Sequence, residues 1–177
     1  MDGNHPMTHK PVTIGFAVMT VSDTRDNRTD KTGPWLREQI AAANHAVIDH
    51  AIIADDVTSI RERARDWIVN PDIHAIIATG GTGLTGRDVT PEALRPLFDK
   101  EMDGFAAVYH QISFRSVGVS TIQSRAVAGI SNGTYVFAIP GSSGGCKDAW
   151  NHILRDEFDE AHRPCNLIDL LPRLKER

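Results

Sequence analysis

The stretch "IHAIIATGGTGLTGRDVTPEAL", Ile73 to Leu94, joins an apolar run to four glycines, an Arg-Asp pair and a proline-marked helix start. Ile73 to Thr79 reads as a strand buried on both faces, because the run is nearly continuous rather than alternating. The helix signal comes later: Thr90 as the cap, Pro91 at the first position and Glu92 in the first turn. Between strand and helix lies a long piece of bare backbone with one base and one acid beside it. That order, strand to glycine loop to helix, is the local unit of an α/β fold.

The same alternation extends towards the amino end. Val12 to Val21 is another apolar run, and the polar segment Ser22 to Lys31 follows it. Gly33-Pro34 opens a helix carrying Leu36, Ile40 and Ala43, and Ala46 to Ala54 reads as a strand. Ile60, Ala64, Trp67 and Ile68 give one apolar helix face. This β-α-β-α-β pattern predicts a three-layer α/β/α domain with a mostly parallel central sheet. Further on, Pro91 to Met102 is expected to be helical, with Pro96 kinking or splitting it. Gly104 to Phe114 carries a helical stripe, and Ser131-Asn132-Gly133 marks a tight turn. Thr134 to Ile139 is a last strand running into "PGSSGG", and Cys146 to Phe158 is a long amphipathic helix. Residues 12–177 form one domain in this reading, with 1–11 as a flexible polar arm.

Composition narrows the function classes. At 177 residues, 41% hydrophobic and 24% charged, the chain suits one folded domain. A formal net charge of -4 gives no basic face for nucleic acid. No apolar run approaches the roughly 18 residues of a membrane span, and the first residues lack a signal segment, so a cytoplasmic protein is expected. Cys146 and Cys165 have no metal spacing, and the histidines form no ligand pattern on one helix.

Three polar loops share an address at the carboxyl ends of their strands: "VSDTRDNRTDKTG", "TGGTG…RD" and "PGSSGG". Ligands of open α/β sheets sit in the crevice there. Gly81 to Gly86 fits the dinucleotide pattern GxGxxG, but the helix begins several residues too late for it. Gly141 to Gly145 fits the hydrolase elbow GxSxG, yet the acids and histidines after Ser143 share one helix, a poor arrangement for a triad. A glycine run lets backbone N–H groups converge on an anion. Thr79 and Thr82 add hydroxyl donors, and Arg87 adds a planar fork for phosphate. Asp88 is either a magnesium ligand or a helix cap, and Thr90 is better placed as the cap. A second carboxylate is available at Asp55 or Asp56, and both of these residues also suit the start of the next helix.

These residues resemble the MoaB/Mog family of molybdenum-cofactor biosynthesis proteins, also found as the G domain of gephyrin-type proteins. Thr79-Gly80-Gly81-Thr82-Gly83, Arg87-Asp88-Val89-Thr90-Pro91-Glu92-Ala93 and Pro140-Gly141-Ser142 carry the likeness. "SRAVAGI", Ser124 to Ile130, and the "VSD" holding Ser22 and Asp23 also fit, and "RPCNL" at Arg163 to Leu167 resembles the B branch. The resemblance implies an adenylyltransferase that uses ATP and Mg2+ to place AMP on the terminal phosphate of molybdopterin. A non-catalytic molybdopterin-binding or scaffold role is the alternative. Asp55 and Asp88 are then the catalytic acids and metal ligands. Substrate contacts fall on Ser22, Asp23, Thr79 to Gly83, Arg87, Thr90, Ser124, Arg125 and Pro140 to Ser142. The family likeness also implies a homohexamer, with a homotrimer as the fallback, and dealings with other enzymes of molybdenum-cofactor biosynthesis. The apolar tail, Leu167 to Leu174, must cover either its own sheet or a neighbour.

Overall fold

The computed structural model describes residues 11–176, so the proposed arm lies outside the described residues except for Pro11. Six strands form one sheet in the order β2-β1-β3-β6-β5-β4. They are β1 Gly15–Val21, β2 Ala46–Ile53, β3 Ala75–Thr79, β4 Lys100–Glu101, β5 Val127–Ser131 and β6 Thr134–Ile139. Strands β1, β2, β3 and β6 run parallel, while β5 is antiparallel to β6 and β4 to β5. The expected three-layer, mostly parallel architecture is the one observed.

Alternate side chains of the central strands feed two different cores, which explains the unbroken apolar runs. Phe16, Val18, Ala75, Ile77, Tyr135 and Phe137 face one layer. That layer holds α1 (Thr32–Ala42), α4 (Asp103–Val117) and α5 (Ser143–Ala149). Ala17, Met19, Ile76, Ala78, Val136 and Ala138 face the other. There α2 (Val57–Ile68) buries Ile60, Ala64, Trp67 and Ile68, the face expected from their spacing. A second, short helix on this side, α3 (Thr90–Leu94), buries Ala93 and Leu94. Aromatic rings fill the first core and small residues thin the second. Truncating a fully buried residue such as Ile40 to Ala would cost about 2–5 kcal/mol.

Four expectations need correction. Strand β1 starts at Gly15, because Val12 is exposed and its N–H donates to Glu160. No helix spans Pro91 to Met102: α3 ends at Leu94, Arg95–Leu97 is a 3-10 turn, and β4 follows. Pro96 lacks the N–H needed to continue, and Phe98 then packs on the bare face of Gly129. Thr90 is not a cap, since its hydroxyl donates to the Gly80 carbonyl at 2.8 Å. The long last helix is interrupted: α5 passes through a π turn, Trp150–Leu154, into α6 (Arg155–Glu157).

Two local signals read true. Asn132 and Gly133 both take positive φ, 48° and 80°, in the two-residue turn between β5 and β6. The tail folds back on its own domain. Helix α7 (Leu167–Leu170) buries Leu167 and Ile168, and the Tyr135 hydroxyl donates to the Leu167 carbonyl at 3.0 Å.

Candidate active site

Strand order reverses between β1 and β3, so the chain leaves those neighbours in opposite directions and opens a crevice at their carboxyl ends. The three polar loops do meet there, around a cleft of about 450 Å³. The loop after β1 brings Ser22, Thr24 and Arg25. The loop after β3 brings Gly80 to Gly83, Arg87 and Asp88, and Pro140 to Ser142 follow β6.

The glycines are required by geometry at two points. Gly80 and Gly81 have φ of 115° and 63°, a region that favours glycine. A Cβ on Gly80 would also run into the Val21 carbonyl, and one on Gly81 into the Thr90 hydroxyl. Gly141 lies so close to this loop that its Cβ would stand 3.0 Å from Cα of Gly80. Gly86 differs, with open space around it.

Two carboxylates flank the loop. Asp88 accepts from the backbone N–H and hydroxyl of Thr85 at 2.9 and 2.6 Å, and its Oδ2 lies 2.7 Å from where a Gly83 Cβ would be. Burial would raise its pKa, but the Thr85 and Gly83 hydrogen bonds outweigh that and hold it below the usual value. Asp55 is set 3.1 Å from the Cβ position of Gly81. Asp23 and Asp55 exchange backbone-to-carboxylate hydrogen bonds at 3.0 and 2.9 Å, tying β1 to β2. Burial, then repulsion from Asp23 and Asp88, pushes the Asp55 carboxyl above its ordinary range. Its neighbour Asp56 is engaged elsewhere. Asp56 caps α2, accepting from the N–H and hydroxyl of Ser59 at 2.7 and 2.8 Å. Of the two candidate acids, Asp55 is therefore the one in the cleft.

Four expected contact residues do not line the cleft, and each has a structural partner. The Thr79 hydroxyl donates to the Pro140 carbonyl at 3.0 Å, and Thr90 is bound to Gly80 as described. Asp23 meets Asp55 and forms a 3.8 Å ion pair with the largely exposed Arg87. Arg125 braces the loop from below: its guanidinium donates to the carbonyls of Gly83 and Asp88 at 2.7 and 2.6 Å and pairs with Glu92. Ser142 lines the cleft and also caps α5, accepting from the Gly145 N–H at 3.2 Å. Ser124 lines it as well.

Sequence reading missed other residues. Arg25 reaches across the cleft, donating to the Thr32 hydroxyl at 3.0 Å and the Gly141 carbonyl at 2.9 Å, with Asp30 at 3.8 Å behind it. Tyr109, Ser113, Thr121, Gln123 and Asp148 build a wall from α4, the following 3-10 turn and α5. The four-residue spacing of Tyr109, Ser113 and Val117 was the available signal. Cys146 lies on the buried face of α5, where burial pushes its thiol up to about 12 and leaves it a packing residue.

Comparisons with known proteins bear on the chain's family and fold. The family model described as "probable molybdopterin binding domain" matches residues 17–160. Molybdenum cofactor biosynthesis protein B of Escherichia coli is 45% identical over 161 residues, covering 91% of this chain and 93% of the relative. The protein of the same name from Halalkalibacterium halodurans is 38% identical over 154 residues, covering 86% and 91%. Among solved structures, one molybdenum cofactor biosynthesis protein B superposes with a TM-score of 0.85 at 34% identity, covering 95% and 99%. The tungsten cofactor synthesizing protein MoaB from Pyrococcus furiosus gives 0.75 at 34% identity, covering 84% and 95%.

Proposed function

The chain belongs to the family of probable molybdopterin-binding domains, and from that premise we propose that its cleft transfers AMP from ATP to the terminal phosphate of molybdopterin. A role in molybdenum-cofactor biosynthesis follows from the family. The observation that carries the reaction is the pair of cleft carboxylates, Asp55 and Asp88, set against a loop of bare backbone.

Two carboxylates beside a phosphate-sized cradle suit magnesium, which binds through one or two carboxylates plus phosphate oxygens. Asp55 and Asp88 would hold it. When bound, the ion neutralises charge at the phosphorus that is attacked. The raised pKa of Asp55 fits such a place: burial comes first, and the charges of Asp23 and Asp88 add to it. The protein's own part is positioning. Gly80 to Gly83 present backbone to phosphate, Arg25 and Arg87 supply cationic donors, and Arg125 fixes the loop's shape. The attacking group is already a phosphate anion: its oxygen bonds to the α-phosphorus of ATP, the α–β phosphoanhydride breaks and pyrophosphate leaves. No strong general base is therefore needed, and orientation with charge stabilisation carries the rate.

Incubating the protein with molybdopterin, ATP and magnesium, followed by mass detection of adenylylated molybdopterin, tests the reading. Product is expected. Tight molybdopterin binding with no product would replace the enzyme by a non-catalytic binding protein.

The same reading includes a cytoplasmic homohexamer, with a trimer as the smaller form. The tail buries Leu167 and Ile168 on its own domain, and more exposed apolar residues lie elsewhere. Val119 and Ile122, 73% and 75% exposed beside Phe114 and Val117, supply the apolar surface for assembly. Light scattering decides: a monomeric mass overturns the assembly.

A further inference from the structure

The cleft has two chemically different parts. Around the glycine loop stand the cations Arg25 and Arg87 with Asp55 and Asp88. The other part is a groove between α4 and α5. Tyr109, Ser113 and Val117 turn one face of α4 into it, and Gly145 and Asp148, three apart, turn one face of α5. Asp148 is the one acid of this groove. Its Oδ1 accepts from the Ser116 hydroxyl at 3.2 Å, which ties the two helices together. Its Oδ2 has no hydrogen bond and the residue has no ion pair among the described residues. Tyr109, raised in pKa by burial, stays a neutral phenol beside it.

We propose that Asp148 reads the pyrimidine edge of the pterin, which places the pterin ring in the α4–α5 groove and the nucleotide over the glycine loop. This rests on the reading of the cleft as a molybdopterin and ATP site. A pterin presents its ring N3–H and its 2-amino group side by side, two donors pointing one way. An aspartate is acceptor-only and takes such a pair with its two oxygens. Adenine instead sets an amino donor beside a ring-nitrogen acceptor, a pattern matched by an amide side chain. Asp148 therefore discriminates between the two heterocycles that the reaction must hold, and fixes which lies where.

Fluorescence titration with 6-hydroxymethylpterin phosphate, and with its lumazine counterpart in which oxygen replaces the 2-amino group, reads this directly. The wild type should prefer the pterin by about 10- to 100-fold, the scale of a charge-assisted hydrogen bond lost to an analogue that cannot make it. Asp148→Asn should collapse that preference while leaving Mg-ATP affinity and Tm unchanged. Ser116→Ala, which frees the carboxylate without removing it, should weaken the preference partway. An unchanged pterin-to-lumazine ratio in Asp148→Asn overturns the inference. So does loss of Mg-ATP affinity in place of pterin affinity. Guanine carries the same two donors, so GTP is titrated alongside: an Asp148-dependent GTP affinity without an Asp148-dependent pterin affinity also overturns it. Wild-type protein that binds neither pterin nor ATP fails at the underlying reading instead.

Discussion

At the amino end of the sheet, β1 is tied to both neighbours through imidazoles. The Ile14 N–H donates to His45 Nδ1 at 3.3 Å, and the Gly15 N–H donates to His74 Nδ1 at 3.0 Å. His45 Nε2 completes the set against the Phe158 carbonyl at 2.8 Å, and the apolar tail packs near by. The carboxyl end is built in the opposite sense. It gathers like charges, two glycines at positive φ and an open cleft. Repulsion among carboxylates persists only where surrounding structure imposes it, and such groups concentrate at sites of function. One end of the sheet is thus built of satisfied contacts, and the other carries the features on which the proposed chemistry rests.

The largest effects should follow from changes at the carboxyl end. Asp88→Asn should cut AMP transfer by at least about 100-fold, the scale of losing a group that stabilises transition-state charge. Its melting should fall only modestly: the fold favours the charged form, as the lowered pKa requires, but an amide oxygen can still accept from Thr85. A variant that keeps its rate but melts early would make Asp88 a loop brace only. Gly80→Ala should instead damage the fold, by about 3 kcal/mol or more, since φ is positive and the Val21 carbonyl stands in the way. Gly86→Ala, in open space six residues on, should stay within about 0.5 kcal/mol. Denaturant unfolding of the two compares strain within one loop.

A finer test separates adjacent acids. Asp55→Asn should abolish most AMP transfer and raise Tm slightly. The sign follows from its raised pKa: the charged form is less favourable in the folded chain than in the unfolded one, so removing the charge relieves the fold. Asp56→Ala should do the reverse, losing about 1 kcal/mol with its cap and leaving turnover alone. Two variants that behave alike would dissolve the distinction between cap and cleft.

This pair also marks the limit of what the sequence discloses. The parallel sheet was legible because β1, β3 and β6 are apolar on both faces, and the meeting of three loops followed from strand direction. Which of two neighbouring aspartates turns inward depends on where α2 begins, and that was not legible from "ADDVTS". The hydrogen-bond partners of Thr79, Thr90 and Arg125 were hidden for a related reason. Motif residues that brace a glycine loop are as tightly tied to it as those that face the cleft, and only hydrogen-bond partners distinguish them. Pro91 to Met102 looked continuous because propensity is local, whereas β4 exists through pairing with β5. The α4–α5 groove went unread because Tyr109, Ser113 and Asp148 become neighbours only when the two helices pack.

The smallest effect belongs to the amino end and depends on pH. His74 Nδ1 accepts the Gly15 N–H, so the ring must be unprotonated at that nitrogen. Burial lowers its pKa below the ordinary imidazole value, against the pull of Asp72. A depressed folded pKa means the unfolded chain binds the proton more readily. The stability from this contact is therefore complete above about pH 6.5 and is lost as pH falls through the folded value. Urea unfolding at a series of pH values should show this slope in the wild type. His74→Gln, whose side-chain oxygen can accept the same N–H but cannot titrate, should flatten it over that window. AMP transfer, measured at pH 7.5, should be the same in both proteins. A His74→Gln variant with an unaltered pH slope would place the acid sensitivity elsewhere, and one with altered turnover would show that the two ends of the sheet are not independent.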